Sequence, residues 1–419
     1  MHTANYIEEH RLRLIRSEEL VKSSKKRKTN LVLIYALLAV SGMEYFYHSQ
    51  NYLLVGFIIA VIGFRSFGLK LEKSWWLIAF LFCIIETFQY AQFGGFNIRT
   101  FSGTYIRLFF AYAVVQLSQN EFPRYYVKIL YFLSVCSLFF YVGSFLPGAE
   151  SFYLNTLANL VPNPWADTEG FYQGKPNIVI FCFEQTLFQH ARNSGPFWEP
   201  GAFGIFLMIG LVFNHLKEKK LLSKTNLVFM ICIITTFSTA AYITLFIFLV
   251  YINFNKIRTN ILYWIMFIGV IAGSAVLYEK IPFLKQKIDN NILMADETTS
   301  SRFGSALADY NTFKESPFIG FGRAGAKTGF KSEKSFDVED HRNNGVFNLL
   351  VTYGVILSAY YFYRIYRSFK NIGAAHGLPN YFAGFSFVIM MLSGFSQGIF
   401  MLPFFYSFLF LPEVYKIKK

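Results

Sequence analysis

The chain has 419 residues, and only 15% of them are charged against 54% hydrophobic and 20% aromatic, where a soluble domain carries about 25% charged residues. That balance excludes an ordinary soluble globular protein. The formal charge of +14 is no sign of a nucleic-acid partner, because the lysines and arginines stand beside hydrophobic runs, where they act as topology signals.

In chain order, residues 1–30 form a basic segment with apolar positions at helical spacing (Ile7, Leu12, Ile15, Leu20, Val21). It predicts a surface helix on the cytoplasmic side that touches membrane lipid. The first apolar run begins at Leu31 after this polar stretch and lacks a small-residue cleavage site, so it reads as a span and not as a cleaved leader. A spanning helix needs about 20 mostly apolar residues. That rule predicts about twelve transmembrane helices, at 31–47, 51–69, 74–91, 104–118, 128–147, 197–216, 221–237, 239–254, 259–278, 344–367, 380–398 and 399–415. The seventh and eighth are separated only at Phe237-Ser238-Thr239-Ala240, and the last two only around Gln397-Gly398.

The loop charges fix the predicted orientation. With Lys22, Lys25, Lys26, Arg27 and Lys28 in the cytoplasm, every second connection is basic: Lys70/Lys73, Arg124/Lys128, Lys217/Lys219/Lys220, Lys256/Arg258, Arg364/Arg367/Lys370 and Lys416/Lys418/Lys419. This positive-inside pattern puts both termini in the cytoplasm. The predicted organisation is five spans in 31–147, an outer loop at 148–196, four spans in 197–278, a larger outer loop at 279–343, and three spans with a basic C-terminus in 344–419. The fold class is an all-α polytopic membrane protein whose second long loop carries an interfacial helix. Loops of such length are usually functional, so the chemistry is expected on the outer face.

Several residues carry that expectation. The run Arg192-Asn193-Ser194-Gly195-Pro196-Phe197-Trp198-Glu199-Pro200-Gly201 puts an arginine, a glutamate and a Gly/Pro turn at the mouth of a hydrophobic helix. Charges at a membrane boundary are expensive and mark functional candidates. In the second loop, Thr298-Thr299-Ser300-Ser301 supplies a helix cap, and Phe303, Leu307, Tyr310 and Phe313 follow at helical spacing. Such a helix lies flat on the membrane or caps a cavity. Pro317 ends it, and Gly320-Phe321-Gly322-Arg323-Ala324-Gly325 follows, either as a concave backbone that favours anions or as an ordinary turn. Asp340-His341-Arg342-Asn343-Asn344 closes the loop; a histidine there can accept a proton, and the neighbouring arginine can hold phosphate. Glu86 falls inside the third span and Arg107 near the outer end of the fourth, where burial demands partners and a mutual ion pair is the structural alternative. Arg65 snorkels from the second span. Cys83, Cys136, Cys182 and Cys232 are scattered without metal or disulfide spacing.

The chain resembles the bacterial O-antigen polymerase/ligase superfamily, the Wzy-type polysaccharide polymerases. Arg192 to Gly201 looks like the R-x-S-G-x-F-x-E-P signature, and Phe237-Ser238-Thr239-Ala240-Ala241-Tyr242-Ile243 looks like the S-T-x-x-x-I break between two helices. Arg302 to Gly322, with Pro317-Phe318-Ile319-Gly320-Phe321-Gly322, looks like the R…F-x-x-x-P-x-x-G-x-G stretch of the large outer loop. Asn343 to Gly354 looks like the H-N-x-x-L-x-x-x-x-x-G start of the next helix. These pieces span residues 192 to 354 in family order. One departure stands out: where the family's ligases place His directly before Asn, this chain has Asn343 before Asn344, and the histidine lies at His341. That favours a polymerase over a ligase.

The resemblance implies a glycosyltransferase of the bacterial inner membrane with its site facing the periplasm. Its donor is an oligosaccharide on undecaprenyl diphosphate, its acceptor another lipid-linked repeat unit, and its further partner a chain-length regulator. The chemistry asks for cations around a diphosphate leaving group, and Arg192, Arg302 and Arg323 are the first candidates, with Arg107 and Arg342 next. An acceptor hydroxyl needs positioning or a base, which Glu199 or His341 supplies; Glu199 alternatively orients an arginine or meets the helix dipole. Asn343, Asn344, Trp198 and Tyr242 are further substrate-binding candidates, the aromatics stacking on sugars or belonging to the lipid belt. Glu199, His341 and Arg302 are the catalytic candidates, and no metal or cofactor is expected. Two rivals remain: an O-antigen ligase that transfers the glycan to a lipid or protein, and a transporter of lipid-linked oligosaccharide. The transporter predicts repeats and broken helices at matched positions, which this sequence lacks.

Overall fold

The computed structural model describes residues 23–47, 49–161, 175–183, 192–262, 302–323 and 344–416, together with 264–265, 268–269, 279–280 and 289. Among these residues the backbone is helix and turn, with only two isolated β-bridges, Met43 to Phe197 and Asn177 to Cys182. An apolar chain surrounded by lipid has this outcome imposed on it, because a helix satisfies its own backbone groups without water. Among the described residues, five helical stretches are long and apolar enough to cross a membrane: Lys73–Phe93, Ile98–Gly143, Pro200–Glu218, Thr239–Thr259 and Gly345–Ala375. The protein is an all-α, multi-pass membrane protein.

Twelve helices of at least twelve residues occur among the described residues. They are α1 (23–39), α2 (Gln50–Ser66), α3 (Lys73–Phe93), α4 (Ile98–Ser118), α5 (Phe122–Gly143), α6 (Pro200–Glu218), α7 (Lys224–Thr235), α8 (Thr239–Thr259), α9 (Arg302–Glu315), α10 (Gly345–Ala375), α11 (Tyr381–Ser396) and α12 (Pro403–Val414). Side-chain caps start many of them: Ser49, Asn97, Ser223, Ser238 and Asn344 each accept a hydrogen bond from the first turn, which relieves an orphan N–H group. Helix α6 is the axis, with every residue from Pro200 to Leu216 buried. A helix that is apolar all round belongs in a core, and α5, α7, α8 and α11 pack around it. Helix α10 packs against α3, α9, α11 and α12, and α4 against α2 and α12.

Several expectations change in detail. Helix runs without a break from 23 through 39, across the expected start of the first span at 31, and Asn30 is buried within it, donating to Leu117 O at 3.2 Å. The first span then breaks at 40–43, where Met43 bridges Phe197 and the single turn Glu44–Tyr47 follows. Helices α4 and α5 are joined by one 3-10 turn, Gln119–Glu121. The tenth span runs to Ala375 but is interrupted at Gly354, which has φ +67°. The span expected at 259–278 falls largely outside the described residues. In the first long loop, 149–160 is helical and Asn177 to Cys182 forms a small bridge.

Helix α9, expected to be interfacial, faces opposite to a simple amphipathic reading. Its buried residues are Gly304, Ser305, Ala306 and Asp309, while Phe303, Leu307 and Tyr310 are exposed. Small and polar groups face the bundle and the apolar stripe faces outward.

Candidate functional site

Three helix starts meet at one end of the bundle. Glu199 is the residue before α6, in extended backbone, with Pro200 opening the helix. Asn344 precedes α10. The turn between α11 and α12 carries Gln397, and the chain there is so close to α10 that a Cβ on Gly345 would lie 2.4 Å from Gln397 O. From this turn Gln397 reaches across and donates through Nε2 to Glu199 Oε1. Arg302, the first residue of α9, donates through Nη2 to the same oxygen at 3.2 Å. Both bonds fall on Oε1, so Oε2 is the oxygen of Glu199 left for a ligand among the described residues. The pair is accessible, with Glu199 30% and Arg302 37% exposed.

The shape of the Arg192–Gly201 run has a local cause. Asn193 is fully buried and donates to Ser137 Oγ at 3.2 Å and Thr235 Oγ1 at 3.0 Å, while its own Oδ1 accepts from Gly195 N. Ser194 Oγ donates to Cys182 O, and Pro196 O accepts from Glu44 N at 2.8 Å. Buried polar groups satisfied in this way give a rigid turn, and that turn aims Glu199. Trp198 stacks on Tyr47 with ring centroids 4.8 Å apart, and its carbonyl accepts from Lys175 Nζ. The backbone N–H of Lys175 donates to Glu44 Oε1 at 3.0 Å.

A second group of polar residues lies behind Tyr47. The Tyr47 hydroxyl stands in the electrostatic field of Glu44, Arg107, Glu199 and Arg323. Arg107 and Arg323 also feel one another, with Tyr353 and Tyr406 beside them. Glu86 receives a hydrogen bond from Tyr353 at 3.4 Å and has Arg323 as its charged neighbour, not Arg107. Arg107 and Glu86 therefore do not make the structural ion pair that sequence offers as an alternative.

Arg323 gets there through a backbone clamp. Gly354 breaks α10, and the 317–321 turn lies in the break: Val355 N donates to Pro317 O at 2.7 Å and Phe321 N to Val351 O at 2.8 Å. A Cβ on Gly354 would sit 2.2 Å from Phe318 O, and one on Gly320 2.6 Å from Gly354 N. Both residues have positive φ. The buried Gln89 of α3 completes the clamp by donating to Ile319 O and Thr352 O. The first part of the glycine turn is therefore locked to α10, with Gly320 N bonded to Ser316 O and Phe321 N to Val351 O, while Ala324 and Gly325 lie outside the described residues.

The remaining candidates divide as follows. Arg192 donates to Thr236 O at 3.0 Å and Phe237 O at 3.3 Å, so it caps the end of α7 rather than joining Glu199. Tyr242 donates to Ile234 O at 2.6 Å and staples the same break. Asn344 uses Oδ1 to cap α10, while its buried Nδ2 has no hydrogen-bond partner among the described residues. His341, Arg342 and Asn343 lie outside the described residues. Gln397, Lys175, Tyr47 and Tyr353 are site residues that sequence reasoning passes over. Only Gln397 left a signal, as a polar interruption between two apolar runs. Compared with known proteins, the sequence matches no family model and no curated protein.

Proposed function

We propose that the chain is a polysaccharide polymerase of the bacterial inner membrane. It joins polyprenyl-diphosphate-linked oligosaccharide repeat units on the periplasmic face of a twelve-span bundle whose termini are both cytoplasmic. The observation that carries the reading is Glu199, a carboxylate at the start of a buried helix whose Oε1 is bonded by Arg302 and Gln397. Around it, Arg107, Arg323 and Lys175 bring the cations of this neighbourhood to four, against the carboxylates of Glu44, Glu86 and Glu199. A site for a diphosphate leaving group needs such a cationic excess.

In this reading the acceptor hydroxyl attacks the anomeric carbon of the donor. A carbon–oxygen bond forms while the bond from that carbon to the diphosphate oxygen breaks, and its electron pair leaves on polyprenyl diphosphate. The hydroxyl proton goes to Glu199 Oε2 or to His341. Arg302, first residue of a helix that rides on the membrane surface, stabilises the departing charge and holds Glu199 in place. Arg192, Arg323, Arg107 and Arg342 are further cations for diphosphate and glycan. Gln397 positions the carboxylate, and Trp198 on Tyr47 offers an aromatic platform for a sugar face.

The test is a gel of surface polysaccharide from a deletion strain complemented with wild type or Arg302→Ala. Loss of the ladder to a single repeat unit on its acceptor, with no rescue by Arg302→Ala, is expected. Polymer accumulating on the lipid carrier would mean a ligase, and an unchanged ladder in the deletion strain would remove the enzyme reading from that pathway.

A further inference from the structure

We propose that residues 144–160 dock onto lipid: the 149–160 helix lies in the membrane leaflet at the Glu199 end of the bundle, with an apolar side among the acyl chains and an amide side toward water. The inference concerns membrane contact and is independent of the function proposed above.

Lipid contact runs without a break into this segment. Along α5, Phe139 and Val142 are more than half exposed, in a stretch long and apolar enough to cross a membrane, so acyl chains surround them. Phe145 and Leu146 carry the same exposure past the end of α5, and Phe152 and Leu160 carry it onto the 149–160 helix. Between them Gly148, at φ +79°, turns the chain, and Phe152 N donates to Gly148 O at 3.0 Å as the new helix begins. Large apolar side chains gathered beyond a span form a patch that water does not favour, and such patches mark interaction sites. Here the leaflet that already covers α5 covers them. A second copy of the chain is the weaker occupant, because the patch has no border with the lipid-facing side of α5.

The helix has two further sides. Ser151, Asn155 and Asn159 recur at every fourth residue and are exposed, with Asn155 Nδ2 donating to Ser151 Oγ at 3.0 Å and Asn159 Nδ2 to Asn155 O at 2.7 Å. An apolar side next to a polar stripe is the pattern of an interfacial helix, which sinks about 5–10 Å into the boundary between headgroups and acyl chains. No lysine or arginine occurs from Ile129 to Gly174, so apolar area drives the docking and anionic headgroups do not. Tyr153 faces the protein, its ring 5.8 Å from Phe140 and 5.2 Å from Phe183 between centroids. Its hydroxyl lies over Gly143, where a Cβ would overlap it. Phe181 and Phe183 flank Cys182, which donates through N to Gly195 O at 2.6 Å and accepts at its carbonyl from Ser194 Oγ at 3.1 Å. Tyr153 thereby joins the lipid-docked helix to the turn that aims Glu199, and the depth of the helix sets the height of that turn above the leaflet.

The test attaches a nitrobenzoxadiazole fluorophore to Leu146→Cys, Leu160→Cys, Ser151→Cys and Asn155→Cys, each in the full-length protein in phosphatidylcholine nanodiscs. The unsubstituted protein, labelled in parallel, gives the contribution of the native cysteines. Lipid carrying a nitroxide high on its acyl chain is expected to quench the Leu146 and Leu160 labels several-fold more than the Ser151 and Asn155 labels, and aqueous iodide to reverse that order. The pattern should persist at high salt. Two positions on each side keep the comparison intact where one variant does not fold. Equal lipid quenching on both sides, or strong iodide quenching at all positions, would overturn the proposal. A Leu160 label shielded from iodide yet untouched by the nitroxide lipid would place a protein surface there and overturn it too.

Discussion

Two arginine–glutamate pairs sit toward opposite ends of α10, and they are built differently. Toward its far end Arg364 is 4% exposed and Glu413 16%. Arg364 donates to Glu413 Oε1 at 3.0 Å and to Leu409 O at 2.8 Å. Pro412 interrupts α12 and cannot donate to Phe408 O, so Ser368 donates to that carbonyl and Asn371 to Pro412 O. Every group released by the proline finds a partner. At the near end, Arg302 and Glu199 are open to a ligand, and Arg323, Glu86 and Asn344 each carry a buried polar atom without a hydrogen bond among the described residues. Closed satisfaction marks a structural tie, whereas open polar atoms beside charge mark a place kept for something else. Sequence treats Arg364 as a topology charge; its burial makes it a packing residue.

Mutations sharpen the contrast. Arg364→Ala leaves Glu413 to the more exposed Lys416, 3.7 Å from its Oε2, and frees the Leu409 carbonyl, and removing one partner of a buried pair costs about 3–5 kcal/mol; thermal unfolding in detergent should show a large loss. Gly354→Ala forces a Cβ against Phe318 O at positive φ, at a cost of about 2–4 kcal/mol. It should also detach the 317–321 turn, read as new protease cleavage there. Asn344→Ala removes the α10 cap, about 1 kcal/mol, visible as a modest drop in melting temperature. Arg302→Ala breaks an exposed pair worth about 0–1 kcal/mol, so melting should hardly change while the polysaccharide ladder disappears. Equal stability losses from Arg364→Ala and Arg302→Ala would erase the distinction between the two pairs.

The same contrast shows how much was legible beforehand. The apolar runs announce helices, and Pro200, Asn344 and Ser238 announce helix starts at or near their observed positions. Arg302 and Glu199 are visible as charges at predicted boundaries. Their contact is not, because 103 positions separate them in the chain. Gln397 is less visible still, since one polar residue between two spans reads as a loop. Arg192 looks equivalent to Arg302 in sequence and differs only in what lies within reach of its guanidinium: two backbone carbonyls in one case, a carboxylate in the other.

The all-α membrane class and the approximate places of several described helices follow from the sequence itself, because hydropathy, caps and glycine or proline breaks act on the nearest few residues. The break at Gly354, the insertion of the 317–321 turn into it, the outward apolar face of α9 and the gathering of Arg107, Glu86 and Arg323 are decided by tertiary packing. Each depends on which distant backbone comes close enough to fill a gap or answer a charge, and periodicity along the chain holds no record of that.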